Sequence, residues 1–309
     1  MATKMNELLG QPATPGRVTF LEGGGDLPMI EVTTAWSTAE VYLHGAHVTH
    51  FQKQNEPPLL FLSRVSRFDA GHPIRGGIPI IFPWFGPREG KPAHGFARLK
   101  AWDLKEIVPA TNGSVRLRLG LPQSEEASEF PPVTVEYSIT VGAALELELA
   151  VTNTSKNRDL VFENCLHTYF NIGAIDQIEV AGLKGCAYLE RAGGGSVRRE
   201  ETGDAIRIEA EVDRAYLKTA GAVEILDRAF CRRIRVEKTG SNSTVVWNPW
   251  IAKAQAMSDF GDEEYRQMVC VESGNIMDDK LSLPPGRTAQ LTARISSAPL
   301  GNETPSKKK

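Results

Sequence analysis

The stretch Val133-Thr134-Val135-Glu136-Tyr137-Ser138-Ile139-Thr140-Val141-Gly142-Ala143-Ala144-Leu145-Glu146-Leu147-Glu148-Leu149-Ala150-Val151 places an apolar side chain at every second position, twice over. A period of two is the signature of a half-buried strand, and Gly142-Ala143-Ala144 between the two runs reads as the turn of a hairpin. The same period recurs outward from this point. Val115, Leu117, Leu119 and Leu121 alternate after the turn signal Thr111-Asn112-Gly113-Ser114. Ile206 and Ile208, Ile234 and Val236, and Leu291, Ala293 and Ile295 continue it. Helical patterning is confined to a short helix expected inside 258–267, with Ser258 or Asp259 as its cap and Asp262-Glu263-Glu264 favouring its N-terminal end. These patterns predict an all-β chain, a large antiparallel sandwich with few short helices. No repeat or linker divides it, so one domain is expected over 16–301, with residues 1–15 and 302–309 as loosely ordered termini.

Composition removes several classes. The chain has 309 residues, and 35 Lys plus Arg stand against 38 Asp plus Glu, for a net charge of −3. That balance excludes a polybasic nucleic-acid binder and an acidic disordered chain, while leaving room for a small anionic ligand held by local positive charge. No apolar run approaches the ~18 residues of a membrane span. Met1–Pro15 resembles neither a signal nor a transit peptide, so the expected address is the cytoplasm. Cys165, Cys186, Cys231 and Cys270 lie tens of residues apart without a CxxC pair and read as reduced core thiols. His44, His47 and His50 look like a metal cluster only on paper, because on a strand His47 faces away from the other two. With no zinc spacing, GxSxG, phosphate loop or dinucleotide fingerprint, no metal or cofactor is expected.

Four segments break the strand pattern. His72–Pro87 holds four prolines and three glycines yet is strongly apolar, which denies it a ladder strand and suggests a buried or cleft-lining segment. Within it Arg75 precedes Gly76-Gly77; it suits recognition of a carboxylate or phosphate, or equally a pairing with a structural carboxylate. In Ala93–Arg98, His94 and Arg98 share one face if the segment is a strand, either as a polar patch for hydroxyls and an anion or as surface residues. In Phe162–Gly173, parity places Glu163, Cys165, His167 and Tyr169 together, with His167 either a satisfied core histidine or a catalyst. In Met268–Asn275, Glu272 closes an apolar strand, where burial would raise its pKa into a range useful for proton exchange; the alternative is an acceptor for backbone N–H groups.

Taken in this order, these segments resemble the aldose 1-epimerase superfamily, and within it the hexose-6-phosphate mutarotase branch, the glucose-6-phosphate 1-epimerases. The resemblance rests on Phe61-Leu62-Ser63, Ile74–Gly86, His94–Arg98, His167 in its setting, Val246-Trp247-Asn248-Pro249 and Val269–Gly274. It implies a galactose mutarotase-like β-supersandwich with a sugar cleft, no metal and no organic cofactor. By the same resemblance His167 is the general acid and Glu272 the general base; one carboxylate and one imidazole on opposite sides of the sugar ring suffice for the chemistry. His94 and Asp213 would bind sugar oxygens, and Arg75 and Arg98 the phosphate. Leu99 departs from the Asn that many relatives carry there, which bears on the phosphate end.

The implied reaction is isomerisation of α and β anomers of glucose 6-phosphate by ring opening and closure, in a monomer without nucleic-acid or membrane partners. Three rivals stand beside it. One is a non-catalytic phosphosugar sensor on the same fold, and a second is a mutarotase of unphosphorylated aldoses. The third, a glycoside-cleaving enzyme, fits a His–Glu pair less well than two carboxyls.

Overall fold

Val133–Val141 and Leu145–Asn153 pair antiparallel, Val141 opposite Leu145, in the hairpin that the alternation predicts. Every apolar residue of the 133–151 pattern faces inward and is at most 6% exposed. The structure, a computed structural model, describes residues 16–301, and the two termini expected to be loosely ordered lie outside the described residues. The hairpin sits within a nine-stranded sheet that also contains Val115–Gly120, Arg232–Thr239 and Thr288–Pro299. An eight-stranded sheet packs across from it, with Met268–Asn275 at its centre between Ser243–Asn248 and Asn164–Leu166. A four-stranded sheet, Gly16–Lys53 in successive hairpins, flanks the pair. One apolar cluster joins all three sheets, from Val18 and Phe51 through Leu149 and Tyr216 to Ile295. This architecture is the all-β supersandwich expected. Among the described residues no helix is long and apolar enough to cross a membrane.

The helix expected inside 258–267 is a correction. That segment forms only a 3₁₀ turn at Glu264–Gln267, and the one α-helix among the described residues is Trp250–Ala256. The side chains that were to cap the expected helix are engaged elsewhere. Asp259 holds the Arg75 guanidinium, Ser258 Oγ accepts from Arg67, and Glu264 accepts from Ser63 Oγ and the Arg64 N–H. A second correction concerns the thiols. All four are free, but only Cys165 and Cys270 are buried; Cys186 is half-buried and Cys231 is exposed.

The proline- and glycine-rich segment is buried without being a ladder strand. Only Ile80-Ile81 pairs regularly, with Leu166 and Cys165, while Gly76 and Ile78 make single bridges to Leu62 and Val48. Gly76 (φ 119°) and Gly77 (φ 57°) occupy backbone regions that side chains disfavour. A Cβ on Gly77 would lie 2.3 Å from Val48 O and 2.7 Å from His47 Nε2. The discounted histidines brace this segment. His47 Nε2 donates to Gly76 O at 2.7 Å, and His44 Nε2 donates to His72 O at 2.8 Å.

Two expectations follow. Gly77→Ala combines left-handed strain with a backbone collision and should lower stability by about 2 kcal/mol or more, read from urea midpoints. Burial, opposed by the Gly76 hydrogen bond, pulls the His47 pKa down to about 3. The unfolded chain therefore binds the extra proton first, and stability present above about pH 6.5 is lost as pH falls toward 3. Between pH 7 and pH 5 His47 alone should cost about 2 kcal/mol. His47→Gln, whose amide can still donate to Gly76 O, should remove that share; an unaltered pH dependence would refute the assignment.

Candidate functional site

The register of the eight-stranded sheet assembles the site row by row. Asp213 stands opposite Trp247, Trp247 opposite Cys270, and Cys270 opposite Tyr169. Two residues along, Ala215, Val245 and Glu272 form the next row on the same face. The neighbouring strand is interrupted between Asn164–Leu166 and Tyr169–Asn171, and His167 sits in the interruption. The Thr168 N–H turns back to Leu166 O at 3.0 Å, which makes the break, while the His167 N–H donates to Pro79 O at 3.0 Å and the Tyr169 N–H to Gly77 O at 2.9 Å, fastening both sides of it to the glycine-rich segment. Nε2 of His167 thereby comes 3.2 Å from Glu272 Oε1. The Tyr169 ring stacks on the imidazole at 4.8 Å, while the His94 and Trp247 rings stand edge-on at 5.8 and 6.2 Å. On the far side of Glu272, Cys165 Sγ donates to Oε2 at 3.5 Å.

His94 and Arg98 come to this site by a route different from strand parity. His94 (φ 64°) and Gly95 (φ 74°) form a tight turn, and Arg98 lies in the 3₁₀ turn Ala97–Leu99. The shared-face argument fails because the segment is not a strand. The Gly86 N–H donates to His94 Nδ1 at 3.3 Å, which leaves Nε2–H as the donor of the neutral ring. Arg98 is 9% exposed and spends one nitrogen on Ala93 O, while its Nε has no partner. Arg75 is paired: Nε and one terminal nitrogen reach Asp259 Oδ2 at 3.2 and 3.0 Å, and the other donates to the Tyr169 hydroxyl at 3.0 Å. Asp213 is 9% exposed, 3.8 Å from Arg191 Nε and 4.0 Å from Lys253 Nζ. Glu163 shares the parity of its neighbours but accepts from the Phe85 and Met277 N–H groups.

Sequence reasoning passed over Arg191 and Asp259. The Arg191 guanidinium lies 5.3 Å over the Phe85 ring, and one of its terminal nitrogens is buried without a partner. Its only sequence signal is a cation two residues before the glycine run 193–195. Asp259 gave none beyond cap chemistry.

Burial governs the electrostatics. Glu272 is 1% exposed, and burial, reinforced by Asp213, holds its carboxyl well above the usual range. Burial first, then His94, Arg98 and Arg75, hold the His167 imidazole well below its usual pKa. The two directions favour a neutral pair with one proton between Nε2 and Oε1. His94 is brought to about 3 by burial and the three arginines, so it is neutral at physiological pH. Burial and Arg75 draw Arg98 down to about 10. Asp213 is raised by burial against the pull of Arg191 and Lys253. The arrangement can give and take a proton at one point while offering positive charge nearby. A cavity of about 700 Å³ on the nine-stranded sheet is lined by Arg116, Arg235 and Arg294, all ion-paired with glutamates.

Known proteins resemble this chain over most of its length. The family model described as Aldose 1-epimerase matches residues 28–296. A protein of Cenchrus ciliaris provisionally named glucose-6-phosphate 1-epimerase is 35% identical over 270 residues, 84% of this chain and 82% of that one. A protein of Escherichia coli K12 with the same provisional name is 34% identical over 253 residues, 80% of this chain and 83% of that one. The crystal structure of a Salmonella typhimurium protein, provisionally described as a mutarotase, superposes with a TM-score of 0.83 at 30% identity, covering 97% and 99% of the two chains. A galactose mutarotase-like protein of Clostridium acetobutylicum shares the fold at TM-score 0.72 and 13% identity, covering 93% and 100%.

The thiols give a direct check on the burial that shapes this site. Cys231 should react with an aromatic disulfide reagent in the folded protein, with Cys186 slower. Burial raises the Cys165 and Cys270 thiols well above their ordinary pKa, so both should react only after denaturation. Rapid labelling of all four in the native state would contradict the packing around Glu272.

Proposed function

The chain belongs to the aldose 1-epimerase family, and from that premise we propose that it is a hexose-6-phosphate mutarotase that interconverts the α and β anomers of glucose 6-phosphate. The observation that carries the reading is the buried 3.2 Å contact of His167 with Glu272, beside the incompletely paired guanidinium of Arg98.

Anomer exchange removes the proton of the C1 hydroxyl, protonates the ring oxygen and opens the C1–O5 bond. Rotation about C1–C2 presents the other face of the aldehyde, and the reverse transfers close the ring. His167 Nε2 and Glu272 Oε1 stand 3.2 Å apart. Adjacent groups suffice, since the ring oxygen and the C1 hydroxyl are both bonded to C1. In the family's assignment His167 acts as acid toward the ring oxygen and Glu272 as base toward the C1 hydroxyl, which requires the shared proton to sit on Nε2 when the ring opens; closure exchanges the roles. Acid–base catalysis of this kind contributes about 10² to 10⁴-fold, and holding the sugar supplies the rest. His94 Nε2–H and Asp213 bind sugar oxygens in this reading. Arg98 takes the phosphate with Arg75, and a dianion there would offset the two guanidiniums that depress His167, making its proton easier to hold.

One observation favours a second reading. Arg75 already has a carboxylate in Asp259, as a structural arginine would, and this supports a mutarotase of unphosphorylated aldoses. Polarimetry on pure α-glucose 6-phosphate and α-glucose with one preparation separates the two. The phosphorylated sugar should equilibrate faster, and Glu272→Gln should cost at least ~10²-fold. Arg75→Ala with Arg98→Ala should raise KM for the phosphate ester roughly tenfold or more, since charged hydrogen bonds are worth about 1.5–3 kcal/mol each, and spare glucose. Equal loss for both sugars would sink the phosphate assignment. Binding without acceleration would make the protein a sensor.

A further inference from the structure

Three donors of different chemical type converge at the bottom of the site. One atom each of His167, Cys270 and Glu272 lies within 4.8 Å of the others, the only such trio among the described residues. No linear spacing announces it. Cys270 and Glu272 sit two apart on one face of Met268–Asn275, and His167 arrives from the interrupted neighbouring strand. The acid–base pair has no use for the thiol, which is completely buried on the same face as Glu272.

We propose that this centre is also a binding site for a soft divalent cation of the zinc type, held by His167 Nε2, Cys270 Sγ and a Glu272 carboxylate oxygen, with a fourth position facing the cleft. Zinc takes nitrogen at about 2.0–2.1 Å, sulfur at about 2.3 Å and oxygen at about 2.0–2.2 Å, so tetrahedral donors stand roughly 3.3–3.8 Å apart. The His167–Glu272 distance of 3.2 Å is already close to that. Closing the widest separation requires about 1 Å, within reach of a cysteine rotation. A thiolate with an imidazole selects zinc or cobalt over magnesium or calcium, which want several oxygens, and here a single carboxylate is present. Ligation displaces the thiol proton and the proton of the His167–Glu272 pair into solvent. The ion occupies the place where the sugar's C1 oxygens must come, so it is an inhibitor competing with sugar and not a cofactor.

The cation site stands apart from the mutarotase reading, and only the inhibition arm rests on it. Cobalt(II) added to the whole protein should give the near-ultraviolet thiolate-to-cobalt charge-transfer band, discharged by zinc and untouched by magnesium. Cys270→Ala should abolish the band, and Cys165→Ala should leave it. In a metal-buffered assay zinc should slow glucose 6-phosphate mutarotation competitively. The inhibition constant should rise roughly tenfold or more in Cys270→Ala, as loss of a metal contact commonly brings, while that variant keeps its basal rate. Absence of the band from the wild type overturns the proposal, as does its survival in Cys270→Ala or equal zinc inhibition in both proteins. A band that responds to Cys270 without any competition would place the ion at the trio but overturn its role as inhibitor. If the protein shows no mutarotase activity at all, the cobalt arm alone still decides the site.

Discussion

One backbone hydrogen bond, Thr168 N–H turned back to Leu166 O, takes a strand of the central sheet out of its ladder with Met268–Asn275 at the residue beside His167. His167 N–H to Pro79 O and Tyr169 N–H to Gly77 O carry on the antiparallel register that Leu166 and Cys165 make with Ile80 and Ile81, so the glycine-rich segment backs the break from its other edge. The glycine pair lets that segment come this close, since any Cβ at Gly77 meets the Val48 carbonyl and His47. Burial of an irregular segment demands that its own polar groups find partners. His47 and the Val48 bridge to Ile78 meet that demand from the four-stranded sheet, His44 from the connection between two of its strands, and Leu62 from outside it through the bridge to Gly76. The third sheet is therefore a support for the catalytic break rather than an ornament of the sandwich.

The same burial sets the charge states. An isolated carboxylate and an imidazolium are both costly in a dry interior, and the opposed directions at Glu272 and His167 are two faces of that cost. Arginines cannot respond by losing their charge, so they respond through partners. Arg75 takes Asp259 and Tyr169, Arg191 approaches Asp213 and lies over Phe85, and Arg98 makes do with one carbonyl.

Much of this was legible in the sequence, and for definite reasons. The alternation of 133–151 maps onto the buried faces because a period of two and a sheet with one wet side leave little choice. Parity also brought Cys165, His167 and Tyr169 to one side, since the interruption at 167–168 preserves the alternation. Parity failed at His94 and Arg98, which reach the site through a left-handed turn and a 3₁₀ turn that obey no period. It was silent on Asp259, Arg191 and the convergence of Cys270 with His167, because those depend on which loops and strands meet. The helix at Trp250–Ala256 escaped because seven residues are too few to display a 3.6-residue repeat.

Asp259 keeps the Arg75 guanidinium paired in the free protein. A guanidinium that waited bare in the cleft would make the free protein costly and would grip the first anion to arrive with the full force of an unmet charge. With a carboxylate already on Arg75, an incoming anion gains only the difference between itself and Asp259. Its departure is eased by the same amount, because the carboxylate is at hand to take its place. On the proposed phosphate reading the site would be an exchange between two anions, one tethered and one diffusing. That arrangement favours rapid handover over retention.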